Sequence, residues 1–453
     1  MNLKMKSMMT ITRSSCTVIA MAIALAGCAE TQRPQATGKA NIRAINAIVT
    51  APDITFRVEE RAQGQLGYGS GAAVRFDDLP YNVNFDVLYP NEIDATRIAS
   101  QPVDTAAGME YIVSVTGSLS AASTTVWEHP ERMWEGNETV FEASFGHLSG
   151  SIGEVDVYLE PTGISPAAGN ARGTIGKGGF IPASDFTAGD YQLFLTAKGD
   201  PATIIYASPA HSTGGAVSIT YVIFTADPSH TGPAGVRRMP SSGGSLPLPD
   251  QNSPPTIRTY HAAFGTGNYD AYLNGDFDNA VASDIGFGGL STDADGIAGE
   301  NTVTFTDAGN AGATLLEQTI TVTTDTRRSV LLAGAPAGLL IFSLLDDRRP
   351  EETIGKLRFV HAATNAGTVD MYFTLPGTDI TNTFPTLIAV ASMSSTAYAQ
   401  LVARTYDVTI TPTGEKTVLA ELSALDFTSD GIAELILLDT ADPGVVTLTD
   451  WSD

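Results

Sequence analysis

Two cysteines in 453 residues cannot staple a fold of this size, and both, Cys16 and Cys28, lie near the N-terminus. That argues against a disulfide framework, a thiolate metal site and a cysteine nucleophile in the rest of the chain. Basic residues are also scarce: 25 Lys and Arg stand against 50 Asp and Glu, a formal net charge of −25 at pH 7. A polyanion repels phosphodiester backbones, so no nucleic-acid partner is expected. The motifs of common chemistries are missing as well. There is no Gly-x-Ser-x-Gly elbow, no His-Glu-x-x-His pair and no glycine loop built to cradle a phosphate. Nucleophilic catalysis needs a nucleophile poised against a base, and none stands out. The expectation is a non-enzymatic protein with no cofactor and no metal. No convincing long amphipathic helix follows residue 27.

What is present begins with the leader. Lys4, Lys6 and Arg13 form a positive region, and residues 16–25 an apolar core too short to span a bilayer comfortably. Leu25-Ala26-Gly27-Cys28 follows at once. This stretch resembles a bacterial lipoprotein lipobox. The resemblance implies cleavage before Cys28, a diacylglycerol on its thiol and an acyl group such as palmitate on the new amine. Two or three acyl chains hold a protein on a membrane almost permanently, at ~0.8 kcal/mol per buried methylene. Ala29, where an Asp would favour retention in the inner membrane, points to an outer-membrane lipoprotein, periplasm-facing or at the cell surface.

The remainder carries one pattern four times. Leu357-Arg358-Phe359-Val360-His361-Ala362-Ala363 precedes Val369-Asp370-Met371-Tyr372, and Ile257-Arg258-Thr259-Tyr260-His261-Ala262-Ala263 precedes Tyr269-Asp270-Ala271-Tyr272. His147 and Asp156 occupy the same places in another copy, and Asn46 and Thr55 in the first. In the three copies that have both, Asp follows His by nine residues. Copies recur at intervals of 101, 114 and 100 residues, the size of a β-sandwich domain and too long for a solenoid unit. Alternating runs such as Tyr406-Asp407-Val408-Thr409-Ile410, broken by glycine and serine turns, read as strands. Each copy closes on an apolar run, Leu435-Ile436-Leu437-Leu438 in the last. The fold class is all-β: four tandem immunoglobulin-like antiparallel β-sandwich domains behind a lipoprotein signal peptide.

The boundaries follow from composition. Residues 1–27 are the signal peptide and 28–40 a lipidated tether. The sandwiches occupy 41–135, 136–229, 256–350 and 351–453. Residues 230–255, rich in Pro, Gly and Ser, are expected to be a linker that divides the chain into two separable halves, with Arg237 and Arg238 open to proteolysis.

The Arg-x-x-His-Ala opening followed by Val-Asp-x-Tyr resembles the bacterial domain of unknown function 4397. The match is good at Arg358, His361, Ala362, Asp370 and Tyr372 and at Arg258, His261, Ala262, Asp270 and Tyr272. It is partial at His147, Asp156 and Tyr158 and weak in the first copy. The resemblance implies an envelope or secreted protein, often with tandem domains, and assigns no activity.

The candidate sites are few. On an extended strand His361 shares a face with Leu357 and Phe359, an inward face. The repeated pairs His147 and Asp156, His261 and Asp270, and His361 and Asp370 therefore read as a structural motif, a buried imidazole held by a carboxylate or carbonyl. Separate copies on separate domains cannot converge on one substrate. Trp127 and Trp134 flank a domain junction, where they either contact a ligand or bury themselves between domains. The acidic stretches 274–279 and 293–296 complete no known calcium loop. The reading that results is a lipid-anchored envelope protein for binding, adhesion or spacing, with the membrane and an unidentified protein or glycan as partners. The alternatives are a polysaccharide-binding or polysaccharide-hydrolysing envelope protein and a structural lipoprotein of an envelope assembly complex.

Overall fold

The computed structural model describes residues 35–450 except 242 and 441–445. The leader and Cys28 lie outside the described residues. The first sandwich is built from β1 (Lys39–Asn46), β2 (Ile54–Val58), β3 (Arg61–Leu66), β4 (Gly71–Asp77), β5 (Pro80–Val87), β6 (Thr96–Asp104), β7 (Met109–Thr116) and β8 (Ser123–Pro130). Lys39 and Ala40, expected in the tether, thus already belong to a strand. One sheet has the order β4-β1-β7-β8 and the other β3-β2-β5-β6. The same two orders recur over residues 140–248, 256–345 and 355–450, so the chain is nearly all β, arranged as four sandwiches. The only helical pieces among the described residues are single 3₁₀ turns at Leu119–Ala121 and Ile380–Asn382.

Alternation produces each core. In β2 the side chains of Ile54, Phe56 and Val58 are buried while Thr55 and Arg57 are only partly so. They pack with Ile42, Ala44, Phe85 and Val113 between the two sheets. Phe141, Phe145 and Leu195, then Tyr269, Phe305 and Leu332, then Phe359, Val408 and Leu435 fill the other three cores.

The connectivity departs from a purely antiparallel sandwich at one place per unit. β1 pairs with β7 in parallel, and the equivalent pairs Val140–His147 with Ser218–Thr225, Thr256–Ala263 with Arg327–Gly334, and Gly355–His361 with Ile432–Asp439 do the same. A chain that reverses at every strand sends all odd-numbered strands the same way, so seating the seventh beside the first makes that pair parallel. β1 and β2 also lie in opposite sheets, whereas the first two strands of a constant-type immunoglobulin domain share one.

The sandwiches are joined face to face. β1 and its three equivalents are buried along almost their whole length, on both faces. Ile42 and Ala44 point into the first core, while Ile45 and Ala47 point outward against Leu148, Val222, Phe224 and Met239 of the second sandwich. Tyr260, Ala262, Leu331 and Ala333 of the third meet Val360, Ala362, Ile436 and Leu438 of the fourth in the same way. Strands apolar on both faces are what burial between two layers requires.

The expected linker at 230–255 is not one. Ala234–Pro240 is the counterpart of β8 in the second sandwich, antiparallel to Ser218–Thr225, and Leu246–Leu248 adds an edge strand beyond it. Arg237 and Arg238 sit within that ladder, opposite Val222 and Tyr221. Proline-rich sequence is compatible with an outer strand, because Pro247 occupies an edge where no partner needs its missing N–H. The remaining connector is pinned: the Asp250 carboxylate accepts from the Ala207 and Asn252 N–H groups and from the Ser253 hydroxyl.

Candidate functional site

The repeated histidines close a local loop in the same way three times. The Nε2 of His147, His261 and His361 lies 3.1, 2.9 and 2.8 Å from the carbonyls of Gly153, Gly267 and Gly367, each six residues on. All three rings are buried at the end of the first strand of their sandwich. The Nε2 must carry the proton to donate to a carbonyl, which leaves Nδ1 as a bare acceptor. His261 Nδ1 accepts from the Ala263 N–H at 3.3 Å, while Nδ1 of His147 and of His361 has no hydrogen-bond partner among the described residues. Burial pushes all three rings below the usual histidine value, against the carbonyl that favours the charged form. In the first sandwich Asn46 does related work with different partners: its Nδ2 donates to the Leu66 carbonyl and its Oδ1 accepts from the Ile48 N–H, both at 3.0 Å.

The glycine-rich turns clamp the backbone of the same residue. The N–H groups of Gly69, Gly178, Gly288 and Met393 donate to the carbonyls of Asn46, His147, His261 and His361. All four donors have a positive φ, from 58° to 84°. That conformation is free for glycine and costly for other residues, which accounts for the glycines in three of the four turns.

The repeated aspartates do not meet the histidines. They lie on the second strand of each unit, in the opposite sheet, and face away from the core although they are buried. Two of the carboxylates gather the backbone of two turns, and the third joins one backbone N–H to a hydroxyl. Asp270 accepts from the N–H groups of Asp284 and Gly309, both at 2.8 Å. Asp370 accepts from Ala389 and Gly414 at 2.8 and 2.9 Å. Asp156 accepts from Gly199 N at 2.7 Å and from the Thr174 hydroxyl at 2.5 Å. Of the two holders considered for the imidazole, the structure uses the carbonyl.

The arginine of the motif lies three residues before the histidine, hence on the opposite face of the strand. It points into the junction between sandwiches. Arg43 pairs with Glu110 at 3.0 Å and reaches the Met239 carbonyl of the second sandwich. Arg258 and Arg358, from the third and fourth sandwiches, share the carboxylates of Asp346 and Glu434 at 2.5 to 3.2 Å. The Tyr398 hydroxyl donates to Glu434 as well. Burial pushes the Glu434 carboxyl up while Arg358 pulls it down. Sequence reasoning treated these arginines only as family markers; their odd offset from the histidine was the available signal.

Trp127 is buried at the same kind of junction. Its Nε1 donates to the Gly178 carbonyl at 2.9 Å and its ring stacks on Phe180 at 5.3 Å. A Cβ on Gly146 would lie 2.2 Å from the indole, so only glycine admits it. Trp134 is half-buried, donates to the Ser218 hydroxyl and carries the Arg132 guanidinium 3.9 Å above its ring. Of the acidic loops, Asp293 is engaged by Arg327 and Arg348, both at 2.8 Å. No group of three or more His, Cys, Asp and Glu side chains among the described residues is arranged to hold a metal ion.

The repeated motif is thus spread over loop closures, turn caps and sandwich junctions. Residues 255–372 match the family described as Domain of unknown function (DUF4397). The matched stretch runs from the first strand of the third sandwich to the second strand of the fourth, and contains His261, Asp270, His361 and Asp370. No curated protein matches the chain.

Proposed function

We propose that this protein is a lipid-anchored envelope scaffold that works by binding or spacing and not by catalysis, and that all four sandwiches are copies of the domain matched at 255–372. The observation that carries the reading is the use made of the repeated polar side chains: each is turned onto its own backbone or onto a neighbouring sandwich. His361 is occupied by Gly367, Asp370 by Ala389 and Gly414, and Arg358 by Asp346 and Glu434. Groups engaged in this way rigidify a body, and the same His, Asp and Arg recur in separate sandwiches instead of converging on one place. The lipobox-like Leu25–Cys28 supports attachment to the outer membrane through Cys28, with a short tether ahead of β1.

The test is fractionation. Cys28→Ser is expected to move the protein from the membrane to the soluble fraction or to stall its processing. A variant that still floats with membranes after a carbonate wash removes the anchor from this reading.

A further inference from the structure

A cleft of about 280 Å³ lies where the first, second and third sandwiches meet. Tyr68, Phe224, Val236 and Leu248 give it mostly apolar walls, and Thr323 and Thr324 of the third sandwich close one side. These walls are held in place. The Tyr68 hydroxyl donates to the Thr225 carbonyl, and its ring meets Phe224 edge-on at 5.9 Å. Opposite, the Asp325 carboxylate accepts from the N–H groups of Thr231 and Gly232 at 2.9 and 2.6 Å, which fixes the third sandwich to the second.

Arg237 stands in this cleft. Its guanidinium stem fills the space that a Cβ on Gly69 would take, 2.3 to 2.9 Å from that position. The other arginines at this joint have acceptors: Arg327 and Arg348 hold Asp293, and Arg349 holds Glu351 and two carbonyls of the first sandwich. Arg237 has no hydrogen-bond or ion-pair acceptor among the described residues. Asp227 lines the same cleft without reaching ion-pair distance, and its carboxylate accepts from the Ser229 N–H. Burial pushes the Arg237 guanidinium below its usual range, the mark of a cation stripped of water. A partly desolvated cation among apolar walls is incomplete without an anion.

We propose that this cleft is a binding site for a small monocarboxylate with an apolar body, its carboxylate on Arg237 and its apolar part against Tyr68, Phe224 and Leu248. The planar guanidinium fork matches a carboxylate bidentately. A dianion such as phosphate would face Asp227 and Asp325 in the same lining. The volume sits at the small end of the range for ligand pockets, roughly 300–1,000 Å³, which suits a single ring or a short chain.

The test is calorimetric titration of the lipid-free full-length mature chain with 3-phenylpropionate, with 3-phenylpropanol, its uncharged counterpart, and with inorganic phosphate. Saturable binding of the carboxylate is expected at one site per chain. Affinity should fall about tenfold or more for the alcohol and for Arg237→Ala, the loss set by one charge-assisted hydrogen-bonded pair. Thr323→Trp, which obstructs the cleft while leaving Arg237 in place, should also abolish binding, and covers the case in which Arg237→Ala does not fold. No binding of 3-phenylpropionate, equal binding by the folded Arg237→Ala variant, or tighter binding of phosphate overturns the proposal. The site does not depend on Cys28 or the membrane, so its failure and that of the anchor are read separately.

Discussion

At the scale of the residue, the histidines set a stability that depends on acid. His361 is fully buried, and its Nε2–H holds the Gly367 carbonyl. His361→Ala leaves that carbonyl without its partner and should cost roughly 1–3 kcal/mol, read as a lower denaturant midpoint. His361→Asn should cost less, because Asn46 shows that a shorter amide can tie the same region of the first sandwich to backbone. The pH dependence has a defined sign. The folded-state values of His147, His261 and His361 lie below the ordinary histidine value of ~6.5. The unfolded chain therefore binds protons first as pH falls. The contribution of these rings is complete above ~6.5 and declines as pH drops from there toward the folded values. His361→Asn should flatten the slope of unfolding free energy between pH 7.5 and 5.5 relative to the wild type. An unchanged slope would mean that this ring does not titrate differently in the two states.

At the scale of the element, the first strand of each unit has two buried faces, one toward its own core and one toward a neighbouring sandwich. The alternation that marks a half-buried strand was legible for Ile54–Val58 and Arg404–Pro412, and led directly to an all-β reading. The unbroken apolar runs, such as Leu435–Leu438, carried a further message: strands buried on both faces pack against a second layer outside their own sandwich. The inward direction of His361 was legible from its parity with Phe359. The partner of each histidine was not, because a loop carbonyl leaves no mark in side-chain chemistry. Nor was the edge strand Leu246–Leu248, whose Pro247 and flanking glycines read as linker composition. Trp127 reports on the joint between the first two sandwiches. Trp127→Ala removes an indole seated on Gly146 and Phe180 and should cost about 3–5 kcal/mol. Gly146→Ala should destabilise the wild type, and much less so a chain that already carries Trp127→Ala, because the indole is what a Cβ at 146 would strike. Additive losses in a double-mutant cycle would place the Gly146 constraint elsewhere.

At the scale of the whole molecule, the contacts arrange four sandwiches two by two. The first and second share one apolar junction, and the third and fourth another. The pairs are stacked end to end. Asp325 at the base of the third is held by Thr231 and Gly232 at the top of the second. Arg349, between the third and fourth, donates to the Val49 and Ala51 carbonyls of the first, and Glu352 bonds Thr50. Under the proposed anchoring through Cys28, a tether entering at Lys39 would leave the loops of the second pair farthest from the membrane, as a spacer requires. Small-angle X-ray scattering of the lipid-free mature chain tests this directly. The expected result is a smooth pair-distance distribution with one maximum and a tail ending near two sandwich lengths, and a radius of gyration moderately above the ~22 Å that compact-domain scaling gives for a chain of this length. Several maxima and a maximum dimension approaching four sandwich lengths, as for sandwiches strung on flexible joints, would contradict a single rigid body.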